Sequence, residues 1–396
     1  MSPLGADVPR RAELDHLRFL AVGLMVINHV AVESPAFRDS WSVSAAGFLG
    51  SFAPVLFFHL TGLGYGLQSA SRPARRGQGY LVKVAILLAA DFDFFTFIGL
   101  SMFVLEWVRR APRSGMVSVA LAAALVAGRY VAGPAVHPWL AGRGWGLWVE
   151  YLLGTAVIPA VGYALSPWMV YPLLGFALGR FAGRKIEAVE AGRSRLPLAL
   201  VTLAGVFAGL ALVLASRGAV FFRYGTMSFA YFAASLALVL VSLAGALRLA
   251  RVRAFPTLSR LTALSGLRSF AVVPLHYALV WLTAAVLGPA VGAFSFAWNA
   301  LAVLVLSVAG SPVVGAVARV LDTPTRRRRT WIVVVGLVLA YRVWLKWRLG
   351  DSPLLFLRTT VQLSLCVLLA LHRPPSTRPD RPRHAETHPA ALPASA

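Results

Sequence analysis

The sequence predicts an all-α membrane protein, a polytopic bundle of about 10 to 12 transmembrane helices. Of its 396 residues, 58% are apolar and 13% are charged, and the mean hydropathy is +0.72. Soluble globular domains average about 45–50% apolar and about 25% charged residues. Apolar stretches of about 20 residues, enough to cross a bilayer core, recur along the chain with basic runs between them.

The excess of positive charge is explained by membrane topology. Lys and Arg number 38 against 15 Asp and Glu, and cytoplasmic loops of membrane proteins are enriched in both cations. Because the basic runs lie between apolar stretches and not on one soluble domain, a nucleic-acid partner is not expected. The single cysteine, Cys366, excludes an internal disulfide and a cysteine-based metal cluster, and no metal is expected.

The first spans follow from the positive-inside rule. With the N-terminus in the cytoplasm, spans at 17–34 and 47–68 enclose an outer loop and return the chain to the cytoplasm. Residues 78–108 are too long for one span, so we predict a hairpin of two short helices with Asp91 and Asp93 at its outer tip.

A fifth span is predicted at 115–133, and the proline- and aromatic-rich stretch 134–167 is predicted to be an irregular outer segment. The chain then crosses inward at 168–183. Further spans are predicted at 196–216, 225–247, 269–288, 293–319, 330–348 and 353–371. We therefore expect a transmembrane domain over 1–372 and a disordered tail over 373–396, with both termini cytoplasmic.

Ionisable side chains within spans are candidates for function, because they are costly in hydrocarbon. His29, which follows Asn28, lies eleven positions after Arg18, and eleven residues are about three helical turns. Both side chains therefore share one helix face, with an anion-binding group at one end and an acid or base at the other. The alternative is a structural histidine, with Arg18 extending to lipid headgroups.

The stretch ELDHLRFLAVGLMVINHV resembles the first helix of the membrane acyltransferase superfamily, in which an Arg and a His are separated by ten positions, as Arg18 and His29 are. GFLGSFAPVLFFHLTGLGYGL is similar to the glycine-rich second helix, with Thr61 for the usual serine and His59 as an unusual polar insertion. SRPARR supplies Arg72 and Arg75, similar to the cytoplasmic arginines of the acyltransferase-3 branch.

Three later stretches extend the resemblance. DFDFFTFIGLSM and YPLLGFALGR resemble the heparan-glucosaminide N-acetyltransferase branch, and LSGLRSFAVVPLHYALV resembles a serine- and histidine-bearing helix of the group. The resemblance covers about residues 13 to 281. The chain departs from it in having short third and fourth spans and no appended esterase-like domain.

The resemblance implies transfer of an acyl group, expected to be acetyl, from cytoplasmic acyl-CoA to a hydroxyl or amine of an extracytoplasmic glycan or lipid-linked sugar. Arg18, Arg72, Arg75 and Arg180 are the expected anchors for the phosphates of coenzyme A. His29 is the expected base, and Asp91, Asp93 or Glu150 is expected to orient it. The acyl chain, the acceptor and the oligomeric state stay open.

The remaining polar residues within spans have two interpretations each. His276, with Ser269 on the same face, suits either the wall of a coenzyme A tunnel or a structural hydrogen bond. His59 is either structural or lines the site. Glu106 is predicted to pair with Arg109 and Arg110. A secondary transporter and a non-catalytic membrane scaffold are the alternatives to an enzyme.

Overall fold

A computed structural model gives the fold. It describes residues 11–37, 39–71, 78–89, 93–154, 163–190, 194–218, 227–251, 269–321, 323–340 and 355–371, and for some helix residues in these ranges only the backbone. The described part is helical and contains no strand. The predicted tail at 373–396 lies outside the described residues.

The helices follow one another closely along the chain. In order they are α1 (Ala12–Val32), α2 (Trp41–Gly50), α3 (Ala53–Ser71), α4 (Gln78–Ala89), α5 (Asp93–Arg110), α6 (Ser114–Ala127), α7 (Gly133–Leu140), α8 (Gly146–Leu153), α9 (Leu165–Trp168), α10 (Val170–Glu190), α11 (Leu196–Ser216), α12 (Phe229–Arg251), α13 (Ser269–Leu287), α14 (Ala293–Val320), α15 (Pro324–Leu339) and α16 (Leu355–Leu371).

Six helical stretches in the described part are long and apolar enough to cross a membrane: Ala12–Val32, Trp41–Ser69, Ser114–Trp145, Leu196–Ser216, Phe229–Leu249 and Ala293–Val320. Their exposed faces are also apolar, and α11 exposes leucine and valine side chains along its length. A helix that is apolar on all sides is stable where lipid replaces water. The chain is an all-α helical membrane protein, as its composition predicts.

The hairpin predicted over 78–108 is confirmed. It consists of α4 and α5, which pack against each other with Gly99 close to Leu87 and Leu88. Asp91, at its predicted tip, lies outside the described residues, and Asp93 is the first residue of α5, with only its backbone described.

The second predicted span is interrupted. A turn at Ser51 and Phe52 separates α2 from α3. The hydroxyl of Tyr231, on α12, donates to the backbone carbonyl of Ser51 at 2.8 Å, and its ring stacks on Phe52 with centroids 4.8 Å apart. A neighbouring helix thus supplies the hydrogen bond that the interrupted backbone needs in hydrocarbon.

The irregular backbone predicted for 134–167 is wrong for most of residues 134–153, which are helical apart from a kink at Gly144. The helix continues from α6 through a π-helical turn at Gly128–Ala132 to α7, and Gly144, with a φ of 80° within the turn at Ala141–Trp145, separates α7 from α8. The first π turn lies just before Pro134, which is at the start of α7. Proline has no N–H to donate, and here it lies where the backbone hydrogen bonds change from the π-helical to the α-helical pattern. Residues 155–162 lie outside the described part.

Two glycine pairs bring α3 and α10 into backbone contact. A Cβ on Gly62 would lie 1.9 Å from the carbonyl oxygen of Pro172, and one on Gly175 would lie 2.1 Å from that of His59. Gly66 and Gly179 make the next contact along the same two helices. Small residues four apart permit this approach in membranes, where close packing drives helix association.

Several helix ends that carry Lys and Arg side chains lie together at one end of the bundle. An apolar cluster joins Leu14 and Leu17 at the start of α1 to the ends of α3, α10 and α12 and to the start of α11. The hydroxyl of Tyr65, on α3, bonds to Glu106, on α5, so the end of α5 also lies here. We call this the basic end, because its described cations are Arg11, Arg18, Arg109, Arg110, Arg180, Lys185, Arg195 and Arg248.

Glu106 pairs with the arginines that follow it, as predicted. Its Oε1 lies 2.6 Å from a guanidinium nitrogen of Arg109 and 3.5 Å from one of Arg110. Because Tyr65 also donates to this buried carboxylate, Glu106 joins α5 to α3.

The contact between α3 and α10 can be tested with two identical substitutions on one helix. We expect Gly62→Ala to lower the stability of the protein by about 1–3 kcal/mol or more, because its Cβ would force two backbones apart. Gly64→Ala should be neutral or stabilising by up to about 1 kcal/mol, since its Cβ meets no atom within 4 Å. Thermal unfolding in detergent measures both, and equal melting temperatures would contradict the contact.

Candidate functional site

Three aromatic side chains from two helices form a polar cluster at the opposite end of α1 from Arg18. His29 belongs to α1, and His276 and Tyr277 belong to α13. The Nε2 of His29 lies 2.8 Å from the hydroxyl of Tyr277. The ring centroid of His29 is 4.2 Å from that of Tyr277 and 5.0 Å from that of His276. We call these three residues the histidine cluster.

Contacts with α2 hold the α1 side of the cluster. The amide nitrogen of Asn28 donates to the carbonyl oxygen of Gly47 at 2.9 Å. A Cβ on Gly50 would lie 2.6 Å from the backbone nitrogen of Asn28. Asn28, a predicted site residue, therefore fixes the turn of α1 that carries His29.

Apolar packing and one hydrogen bond hold the α13 side. Val26 and Val30 pack with Val280 of α13 and with Ala300 and Val303 of α14. His276 is 0% exposed, and its Nδ1 lies 3.2 Å from the carbonyl oxygen of Val272, one turn earlier. Both sides of the cluster are thus fixed by helix packing.

The two histidines differ in exposure. His29 is half-buried, as is Tyr277, whereas His276 is fully buried beside them. A polar molecule that reaches the cluster therefore meets His29 first. The sequence placed His29 near the outer end of its span and His276 in the inner half of another, but the structure places their rings side by side.

Arg18 lies at the basic end of the same helix. Its guanidinium bonds to the buried carboxylate of Asp15 at 3.1 Å, and about a third of its side chain is exposed. Eleven residues of helix separate it from His29 by about 16 Å. One helix therefore carries an arginine near one end and an imidazole near the other.

Arg180 lies beside the end of α3. Its guanidinium donates to the carbonyl oxygen of Ser69 at 3.0 Å, near the end of α3. Arg72 and Arg75, which follow α3 directly, lie outside the described residues.

Glu150 is engaged away from the histidine cluster. This fully buried carboxylate lies 2.7 Å from the Nε2 of His137, on α7. The hydrogen bond of His29 goes to a tyrosine hydroxyl and not to Glu150, so the expectation that Glu150 orients His29 is corrected.

His59 and Ser269 occupy other positions. His59 is buried at the contact of α3 and α10, and neither ring nitrogen has a hydrogen bond of normal geometry within the described part of the chain. Ser269 is the first residue of α13, and only its backbone is described.

Sequence reasoning missed Tyr277. It follows His276 directly, and no spacing rule shows that the face of α13 carrying both rings packs on the last turns of α1. A tyrosine inside a span was a signal, since its hydroxyl needs a partner there.

The site and fold define a helical membrane protein with a buried polar cluster. No three His, Cys, Asp or Glu residues of the described part lie close enough to hold a metal ion. No protein family matches the chain, and no curated protein or solved structure matches it significantly.

The bond between His29 and Tyr277 can be tested by chemical modification. Diethylpyrocarbonate acylates accessible imidazole nitrogens, and Tyr277→Phe frees the Nε2 of His29. Because one neutral hydrogen bond contributes about 0.5–1.5 kcal/mol, we expect His29 to react about 2- to 10-fold faster in the variant. Mass spectrometry of the α1 peptide measures the rate. His16, on the same helix, is the internal control, and an unchanged ratio of the two rates would contradict the bond.

Proposed function

We propose that the protein is a membrane acyltransferase. It moves an acyl group, in the simplest case acetyl, from cytoplasmic acyl-CoA to a hydroxyl or amine of a glycan or lipid-linked sugar on the other side of the membrane. In this proposal the chain crosses the cytoplasmic membrane about 10 to 12 times with both termini inside, and the basic end faces the cytoplasm.

One observation carries the proposal. A half-buried imidazole, His29, lies beside a tyrosine hydroxyl and a second, fully buried imidazole, on the helix whose basic end carries Arg18. The arrangement matches the two requirements of the reaction, an anchor for a polyanionic donor and a group that accepts a proton from the acceptor. Neither requirement applies to a scaffold.

The basic end suits the donor. Coenzyme A carries phosphates, and guanidinium groups bind phosphate with paired, charge-assisted hydrogen bonds. Arg18 and Arg180 are both at this end with exposed side-chain surface, and Arg72 and Arg75 follow α3 in the sequence. The separation of about 16 Å between Arg18 and His29 is one that an extended pantetheine arm can cover.

The histidine cluster suits the chemistry. The oxygen or nitrogen of the acceptor attacks the thioester carbon, the carbon–sulfur bond breaks, and the proton passes through an imidazole to the leaving thiolate. A positioned base typically accelerates such a step by about 10²–10⁴-fold. The neighbouring α2 and α14 hold the imidazoles in place, which reduces the entropy lost on reaching the reactive geometry.

The first test supplies membranes containing the protein with radiolabelled acetyl-CoA and counts label in lipid-linked and polymeric glycan. We expect wild-type membranes to incorporate label and His29→Ala to lower the rate at least about 100-fold, because the cluster loses its accessible imidazole. His16→Ala is the matched control, since it removes an imidazole of the same helix outside the cluster.

Equal label in wild type and His29→Ala, at equal abundance, would remove His29 from the chemistry. No label with the wild type would remove acyl transfer to these acceptors and favour the transporter or the scaffold.

The second test concerns Arg18. We expect Arg18→Ala to raise the KM for acetyl-CoA about tenfold and to change kcat little, since a hydrogen bond to a charged group contributes about 1.5–3 kcal/mol to binding. Arg18→Lys keeps the charge, so its KM for acetyl-CoA should lie between those of the wild type and Arg18→Ala. Initial rates at varied donor concentration measure this, and a change confined to kcat would contradict an anchoring role.

A further inference from the structure

The tautomer of His276 is fixed by its hydrogen bond. A carbonyl oxygen can only accept, so the Nδ1 of His276 donates its proton to Val272. A ring that is 0% exposed is neutral, because a buried charge without a counter-charge is very costly. The Nε2 of His276 therefore carries a lone pair.

That lone pair has no donor in the described part of the chain. A buried acceptor left without a hydrogen bond destabilises a protein by about 1–3 kcal/mol. A donor from a bound molecule removes this cost. A hydroxyl, an amine or a water at the Nε2 of His276 would supply that donor.

The neighbouring imidazole differs from His276 in exposure. His29, 5.0 Å away between ring centroids, is half-buried, whereas His276 is fully buried. The Nε2 of His29 is already engaged with the hydroxyl of Tyr277. Of the two Nε2 atoms, the one on His276 is thus the unengaged acceptor.

The facing helix adds a second unsatisfied polar group. On α14, Gly310 lies against Leu275, and Ala300 and Val303 pack with Val280, so Ser307 is level with His276. Ser307 is 0% exposed, and its hydroxyl also lacks a partner within the described ranges. A polar ligand between α13 and α14 would satisfy both groups.

We propose that His276, and not His29, is the base of the transfer reaction, and that the hydroxyl or amine of the acyl acceptor binds at its Nε2. This assignment rests on the proposed acyl-transfer function. The Nε2 takes the proton of the acceptor as the new carbon–oxygen or carbon–nitrogen bond forms. The carbon–sulfur bond breaks, and the proton passes from Nε2 to the leaving thiolate, so the ring returns to its starting state. The pair formed by His29 and Tyr277 holds the reactants beside it.

Chemical rescue tests this assignment. We expect His276→Ala to lower labelling from radiolabelled acetyl-CoA at least about 100-fold. Added imidazole, which enters the space left by the side chain and restores a basic nitrogen, should raise the variant's rate at least about tenfold. Pyrrole has the same ring size and no basic nitrogen, so it should give no increase. Release of coenzyme A thiol should follow label in each case.

Two further variants keep the result interpretable. His276→Gln fills most of the space without a base. This variant should keep the wild-type abundance and the wild-type KM for acetyl-CoA, and its kcat should be strongly lowered. Thr283→Val is the matched control, because the buried Thr283 hydroxyl bonds only to backbone carbonyls of its own helix, and its activity should match the wild type.

The outcomes separate the two proposals. A wild type that labels glycan, together with an active His276→Gln or equal rescue by imidazole and pyrrole, would overturn the role of His276 and leave acyl transfer standing. Absence of label with the wild type would overturn acyl transfer and this assignment with it.

Discussion

A polar group inside hydrocarbon has to find its hydrogen-bond partner within the protein, and this constraint governs the whole structure. It explains why the described chain is helical and why Tyr231 bonds to the backbone where α2 and α3 are interrupted. It also explains why the buried carboxylate of Glu106 bonds to one tyrosine and two arginines. The unsatisfied Nε2 of His276 departs from this constraint, as do the ring nitrogens of His59 and the hydroxyl of Ser307.

The glycine contact between α3 and α10 sets the frame in which the site is built. Backbone contact brings the two helices to the same end of the bundle, so that Arg180 reaches the end of α3. The start of α1 packs into the apolar cluster formed there. Packing at the basic end therefore fixes the helix that carries His29 at its far end.

The sequence predicted what local patterns determine. Apolar length located the six helical stretches that are long enough to cross a membrane, and two carboxylates inside an apolar stretch revealed the hairpin of α4 and α5. Helical spacing put Arg18 and His29 on one helix face. Glu106 was paired correctly because its partners lie within one turn.

What the sequence could not supply was contact between distant segments. His29 and Tyr277 are 248 positions apart, and only the packing of α1 on α13 brings them together. Glu150 was assigned to His29 because both were expected on the outer side, whereas His137 was a nearer partner. The prolines at 134 and 138 suggested an irregular backbone, but both lie in helical backbone beside π turns, and the kink falls at Gly144.

The helix that precedes this kink is longer than a membrane is thick. The stretch Ser114–Trp145 has 32 residues, about 48 Å at 1.5 Å per residue, against a hydrocarbon core of about 30 Å. A tilt within the usual range shortens its projection only in part. A length of several turns, including the exposed Trp139 and Trp145, therefore extends beyond the hydrocarbon into the headgroup region. The helix begins at the basic end, so its last turns lie toward the end of the bundle that carries the histidine cluster.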